Sequence, residues 1–190
     1  ARAKRKIFEY ALSNTFDYFV TLTFDRQVFK PDDIEKTFSA VRKKLKNYKK
    51  QFPTFSYLLL PELHADKKNY HFHGLVSGLA SKHIREFEKD KKGRMQYNWS
   101  YWEKHFGFTN LIELDDNKEA VAKYTTKYMT KEMSEYFNQH RYIVSRHLKK
   151  PKTIFEGTNL NISTFDFEND FVRTKTYRTY NDLYNDIVLN

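Results

Sequence analysis

Two apolar runs, Phe55 to Glu62 and Tyr70 to Ser77, flank the polar stretch Leu63 to Asn69. That arrangement is the signature of an antiparallel hairpin. Such a hairpin is marginal alone, so the remaining segments must supply further strands and covering helices. With its turn centred between Asp66 and Lys67, the pairing sets Glu62 opposite His71 and Leu60 opposite His73. Around it, Tyr18 to Phe24 reads as a strand, and Pro31-Asp32-Asp33 opens a helix to about Lys50. Ser81 to about Lys92 reads as a short basic helix, and Phe108 to Leu114 as a fourth strand after the aromatic segment Trp99 to Phe106. Asp116 with Glu119 three positions on is a capping-box pattern, starting a helix expected to continue to about Lys131. Further on the pattern predicts a helix near Ser134 to Tyr142, a loop through Pro151, a strand at about Val172 to Tyr177 and a terminal helix. The order β-α-β-β-α-β-α predicts an α+β fold, a central antiparallel sheet with flanking helices mainly on one face.

The length of 190 residues suits one domain. With 39% hydrophobic and 17% aromatic residues the composition excludes a disordered chain. No apolar run approaches the roughly 20 residues of a membrane span, and the basic start Ala1 to Lys6 has no apolar segment behind it, so no membrane partner and a cytoplasmic site are expected. A first residue other than Met suits a chain trimmed from a longer protein. With Cys 0, any metal must be held by His, Asp, Glu or backbone oxygens. The net charge of +10 and the many aromatics together point to nucleic acid, through phosphate attraction and base stacking.

His71-Phe72-His73 lies within a predicted strand, so alternation puts both imidazoles on one face, and the hairpin register brings the Glu62 carboxylate beside them. Two imidazoles and a carboxylate without thiolate suit Mn²⁺, Mg²⁺ or Zn²⁺ with open coordination positions. The alternative is a pair of partly exposed strand histidines with no metal. His64 and Asp66 fall in the turn, where polar residues are expected anyway. On the helix that follows, Tyr124 and Tyr128 are spaced by four, which places two hydroxyls on one face with Lys127 and Lys131 beside them. Either this is a core-facing aromatic stripe bordered by solvated lysines, or it is a pair of nucleophiles flanked by cations. A tyrosine that attacks a phosphodiester conserves the bond as an ester, which suits a protein that cuts a strand and later rejoins it.

The strand Phe19 to Phe24, then Glu62 with His71-Phe72-His73, then Tyr124 and Tyr128, resemble in their order the three motifs of HUH endonucleases. The double tyrosine is similar to that of the two-tyrosine rolling-circle replication initiators (Rep) of phage, prophage and plasmid type. Arg141 to Arg146 through Leu148 to Pro151 resembles a segment that often follows the tyrosine helix there. The resemblance covers about residues 18–151 of a single HUH endonuclease domain spanning 1–190, and the extension 152–190 matches nothing in it. It implies the HUH fold, metal ligands Glu62, His71 and His73, nucleophiles Tyr124 and Tyr128 with Lys127 and Lys131 at the lysine positions, and Mn²⁺ or Mg²⁺ rather than Zn²⁺. The implied reaction is site-specific nicking and joining of single-stranded DNA through a 5′-phosphotyrosine, starting and ending rolling-circle replication. The implied partners are single-stranded DNA at a replication origin, including one folded as a hairpin, and a host helicase, since no Walker-type Gly-x-x-x-x-Gly-Lys occurs in the chain. The implied location is the cytoplasm of a bacterial host cell.

Basic clusters at Arg42 to Lys50, Lys89 to Arg94 and Arg141 to Lys152 nominate Arg42, Lys43, Lys92, Arg94, Arg141 and Arg146 as DNA contacts, against the plainer reading of solvated charged faces. Relaxases and single-strand transposases share the motifs and stay open as alternatives. So does a non-catalytic single-stranded nucleic-acid-binding module, which covalent capture of DNA would separate from all of them.

Overall fold

A computed structural model describes residues 2–31, 33–63, 70–115, 117–127 and 142–150, with two short strands beyond them. In chain order the elements are α1 (Arg2–Ser13), β1 (Tyr18–Leu22), α2 (Ile34–Gln51), β2 (Ser56–Leu63), β3 (Tyr70–Ser77), a 3₁₀ turn at Ser81–His83, β4 (Ile84–Lys89), β5 (Met95–Trp99), α3 (Ser100–Glu103), β6 (Thr109–Glu113), α4 (Lys118–Lys127) and β7 (Ile143–Val144). The strands form one antiparallel sheet in the order β4-β5-β6-β1-β3-β2-β7. A separate pair, β8 (Phe167–Glu168) with β9 (Arg173–Thr174), meets the strand expected at Val172 to Tyr177. The helices expected near Ser134 to Tyr142 and at the C-terminus lie outside the described residues.

Side-chain alternation gives the sheet two buried faces. On one, Val20, Leu22, Tyr57, Leu59, Phe72, Val76 and Leu111 pack with Phe38, Val41, Leu45 and Tyr48 of α2. That helix forms where expected because the Asp33 side chain accepts the Lys36 N–H at 3.0 Å, and this backbone hydrogen bond is the main cause that lowers the Asp33 pKa. Phe38 and Val41 are fully buried, and such side chains contribute about 1.5–3 kcal/mol each. On the other face Phe19, Leu58, Leu60 and Leu75 pack against Ile7, Phe8 and Ala11 of α1 and Ala122 of α4. Helices therefore cover both faces, correcting the one-sided layering expected. The cause is α1, whose Ile7, Phe8 and Ala11 make an apolar stripe inside a segment dominated by lysine and arginine.

The hairpin takes the expected register, with Glu62 opposite His71 and Leu60 opposite His73. Gly74, which follows His73, sits so close to β2 that a Cβ there would lie 2.9 Å from Leu59 Cα and closer still to the Leu58 carbonyl oxygen. Only glycine lets the two strands meet at this point.

Two expectations change. Ser81 to Lys92 is not a helix: after the 3₁₀ turn it becomes the edge strand β4, paired with β5. Both of its faces are largely solvated, so its charged residues show no period of two, and charge on an exposed edge also discourages pairing with other chains. The hairpin is closed instead by Asp90, whose carboxylate accepts the Lys92 and Arg94 N–H groups, and by Gly93 at φ 79°. The cap of α4 is Asn117, whose Oδ1 accepts the Ala120 N–H at 3.0 Å, rather than Asp116, which lies outside the described residues.

Candidate metal centre and neighbouring helix

Because β2 and β3 pair in this register, Glu62, His71 and His73 emerge on the face shared with α1 and α4. Glu62 Oε2 lies 2.9 Å from His71 Nε2 and 2.6 Å from His73 Nε2, and the two ring nitrogens are 2.5 Å apart. Three lone-pair donors this close repel one another unless a proton or a cation sits among them. An octahedral ion with bonds of about 2.1 Å keeps neighbouring donors roughly 3 Å apart, so one triangular face of such a shell fits these three atoms. They are the group among the described residues able to hold a metal ion. The residues fit the group, and the carboxylate is the hard donor that Mn²⁺ or Mg²⁺ prefers.

His73 is 8% exposed, so its second nitrogen needs a partner inside the protein. Thr21 of β1, its register neighbour, provides one: Thr21 Oγ1 is 3.0 Å from His73 Nδ1. With the Nδ1–H donated to that hydroxyl, the Nε2 lone pair faces the cluster. Phe19, two residues earlier on the same face, stacks 5.9 Å from the His73 ring. Sequence reasoning missed both residues. Their one signal was same-face spacing within the first strand, and it becomes informative only once β1 is known to pair with β3.

The other side of Phe19 meets α4. Tyr124 packs edge-on against it at 4.9 Å, so Phe19 lies between the candidate metal centre and this tyrosine. Tyr124 is 45% exposed, hence not a core residue, and Lys127 Nζ lies 5.8 Å over its ring. The buried side of α4 is formed instead by Ala122, Thr125 and Thr126. Tyr128 and Lys131 lie outside the described residues, as do His64, Asp66 and Arg141.

The basic candidates separate. Arg42 and Arg146 line one groove of about 530 Å³ between α2 and the β7 edge, together with Lys46, Lys50, Tyr57 and His147. Burial raises the pKa of the Tyr57 hydroxyl, while Arg42 and Arg146 pull it down. Lys43 is exposed on α2 outside this groove. Lys92 and Arg94 are at the β4–β5 turn, where Arg94 is engaged by Asp90 at 2.7 Å.

Residues 17–133 match the family of the replication-associated protein ORF2. A relative, the Phasyl DNA replicon protein arp of Escherichia coli, is 24% identical over 196 residues, covering 92% of this chain and 65% of its own length. The chain thus spans just under two thirds of that relative. No solved structure matches it. No helix among the described residues is long and apolar enough to cross a membrane.

Proposed function

The chain belongs to the replication-associated protein ORF2 family, and from that role in DNA replication we propose that it is an HUH endonuclease that nicks and rejoins single-stranded DNA at an origin. The observation that carries this reading is the convergence of Glu62, His71 and His73 with Tyr124 on the neighbouring helix, one phenyl ring away. In the mechanism, those three residues hold Mn²⁺ or Mg²⁺, with Zn²⁺ less suited. When bound, the ion polarises the phosphoryl oxygens of the scissile phosphate. The hydroxyl of Tyr124 or Tyr128 attacks phosphorus, the bond to the 3′-oxygen breaks, and that oxygen leaves as the hydroxyl that primes synthesis. A 5′-phosphotyrosine remains on the protein. Lys127 and Lys131 neutralise charge on the phosphate, and the second tyrosine performs the transfer that ends the round. Thr21 keeps the His73 proton on Nδ1, and Arg42, Lys43, Lys92, Arg94, Arg141 and Arg146 attract the DNA backbone. The domain runs over 1–190, works in the cytoplasm of a bacterial host and relies on a host helicase.

The test is covalent capture. Incubation with a pool of single-stranded oligonucleotides and Mn²⁺, then a denaturing gel, is expected to show a protein–DNA adduct. Tyr124→Phe with Tyr128→Phe removes both nucleophiles and almost no packing volume, and the adduct is expected to vanish. An adduct that survives the double substitution places the nucleophile elsewhere and ends the two-tyrosine reading.

A further inference from the structure

The face that carries the candidate metal centre is covered by α1 and α4 only over β1, β3 and β2. Its other half, toward β6, β5 and β4, shows a polar row. Thr21, bonded to His73, faces Asn110 of β6 in the sheet register, and Asn110 Nδ2 donates to Gln96 Oε1 of β5. Beside this row stand two phenylalanines open to solvent, Phe108 at 41% and Phe87 at 54% exposed, with their rings 5.2 Å apart and edge-to-face. Leaving two such side chains in water forgoes about 1.5–3 kcal/mol of burial each, and paired exposed aromatics beside a candidate site mark a ligand surface.

Phe108 is held firmly. Its carbonyl accepts both the N–H and the hydroxyl of Thr23, so it extends the β1–β6 ladder by one residue and shares a face with Thr21. Gly107 before it has φ 139°, and a Cβ there would press on the Asp25 backbone. Along β4, Arg85 and Lys89 alternate with Phe87, while Glu86 and Glu88 take the intervening positions. An aromatic pair on a sheet, interleaved with cations, is the composition that takes an unpaired base and its phosphate.

We propose that Phe108, with Phe87 packed against it, is a stacking platform for a base of the single-stranded DNA that flanks the scissile phosphate. The proposal deepens the nicking reading and rests on it for its position relative to the cut. Two strand spacings and two residues separate His73 from Phe108, about 12 Å, which three to four nucleotides bridge at a stacked rise of 3.4 Å. The base held there is therefore within four nucleotides of the cleaved bond, and sequence preference at that position follows from stacking strength rather than from a hydrogen-bond code.

The experiment measures binding of the full chain in EDTA, by fluorescence anisotropy, to two labelled probes: a 20-nucleotide oligo(dT) and a strand of equal length with abasic sites throughout. Phe108→Ala is expected to weaken oligo(dT) binding about 5- to 150-fold and to leave the abasic strand within twofold, because only the first offers a base to stack. Phe87→Ala is expected to show the same selectivity with a smaller loss, and Phe108→Trp to restore oligo(dT) binding. Should the alanine variant fail to fold by circular dichroism, Phe108→Leu keeps apolar bulk and is expected to show the same selective loss. Unchanged oligo(dT) affinity, or an equal loss on both probes, overturns the platform. Neither metal nor tyrosine enters this measurement, so absence of a covalent adduct with selective loss intact would refute the nuclease and leave the base-stacking surface standing.

Discussion

Thr21→Val tests how the candidate metal centre is organised. Valine keeps the branched shape of threonine and deletes one atom's hydrogen bonding, the 3.0 Å approach to His73 Nδ1. His73 is 8% exposed, so water does not readily replace the missing partner. Its Nε2 lies 2.6 Å from Glu62 Oε2, which offers the ring proton an alternative home. In the variant the imidazole therefore favours the tautomer with the proton on Nε2, directed at the carboxylate and blocking the lone pair a cation needs. Binding must then move the proton back to a nitrogen without a partner. Losing an outer hydrogen bond of this kind costs 10- to 100-fold in metal affinity, about 1.4–2.7 kcal/mol. Isothermal titration with Mn²⁺ should show that loss, Thr21→Ser should recover most of it, and thermal melting should change little without metal. Wild-type affinity in Thr21→Val would refute the argument that Thr21 sets the tautomer.

Three further outcomes are expected. Excess EDTA, or His73→Ala, should abolish adduct formation while single-stranded DNA binding, measured by anisotropy, stays within a few fold, because phosphate attraction supplies most of that affinity; cleavage undiminished in EDTA would remove the metal from the mechanism. Arg42→Ala with Arg146→Ala should flatten the log–log salt dependence of single-stranded DNA binding by about 1.4, at roughly 0.7 for each phosphate no longer neutralised, and an unaltered slope would mean that the groove does not touch DNA. Desolvation by burial, then nearby lysines, lowers the pKa of His83 and His105. Between their lowered folded values and the ordinary 6.5 the unfolded chain binds the protons, so stability is full above about pH 6.5 and declines on acidification below it. The urea midpoint should fall from pH 7.5 to 5.5, and by less in the His83→Gln, His105→Gln variant; equal declines would dismiss these two groups as the cause.

The hairpin was legible because both of its strands are half buried or better and its turn is short, so pattern and register agree, and with them came Glu62, His71 and His73. What local pattern could not convey is pairing between distant segments. Thr21 looks like any strand threonine until β1 is laid against β3, and Phe108 looks like a core residue until no helix is seen above it. Strand β4 read as a helix because Arg85, Glu86, Glu88 and Lys89 are solvated and carry no alternation, while Lys and Glu favour helices when nothing else decides. In α1 the reverse happened: the charges of Arg2 to Lys6 drew attention away from Ile7, Phe8 and Ala11.

The candidate ligands sit on β2 and β3 inside the sheet, whereas Tyr124 stands on a helix that merely leans on it through Phe19. That separation has an evolutionary consequence. A ligand cannot move along its strand without carrying the register of the whole hairpin with it. A tyrosine can be lost, duplicated or displaced by a turn through changes on α4 alone. Among descendants of such a fold the number and spacing of nucleophiles should therefore drift freely, while the ligand set stays as it is or disappears together with the activity.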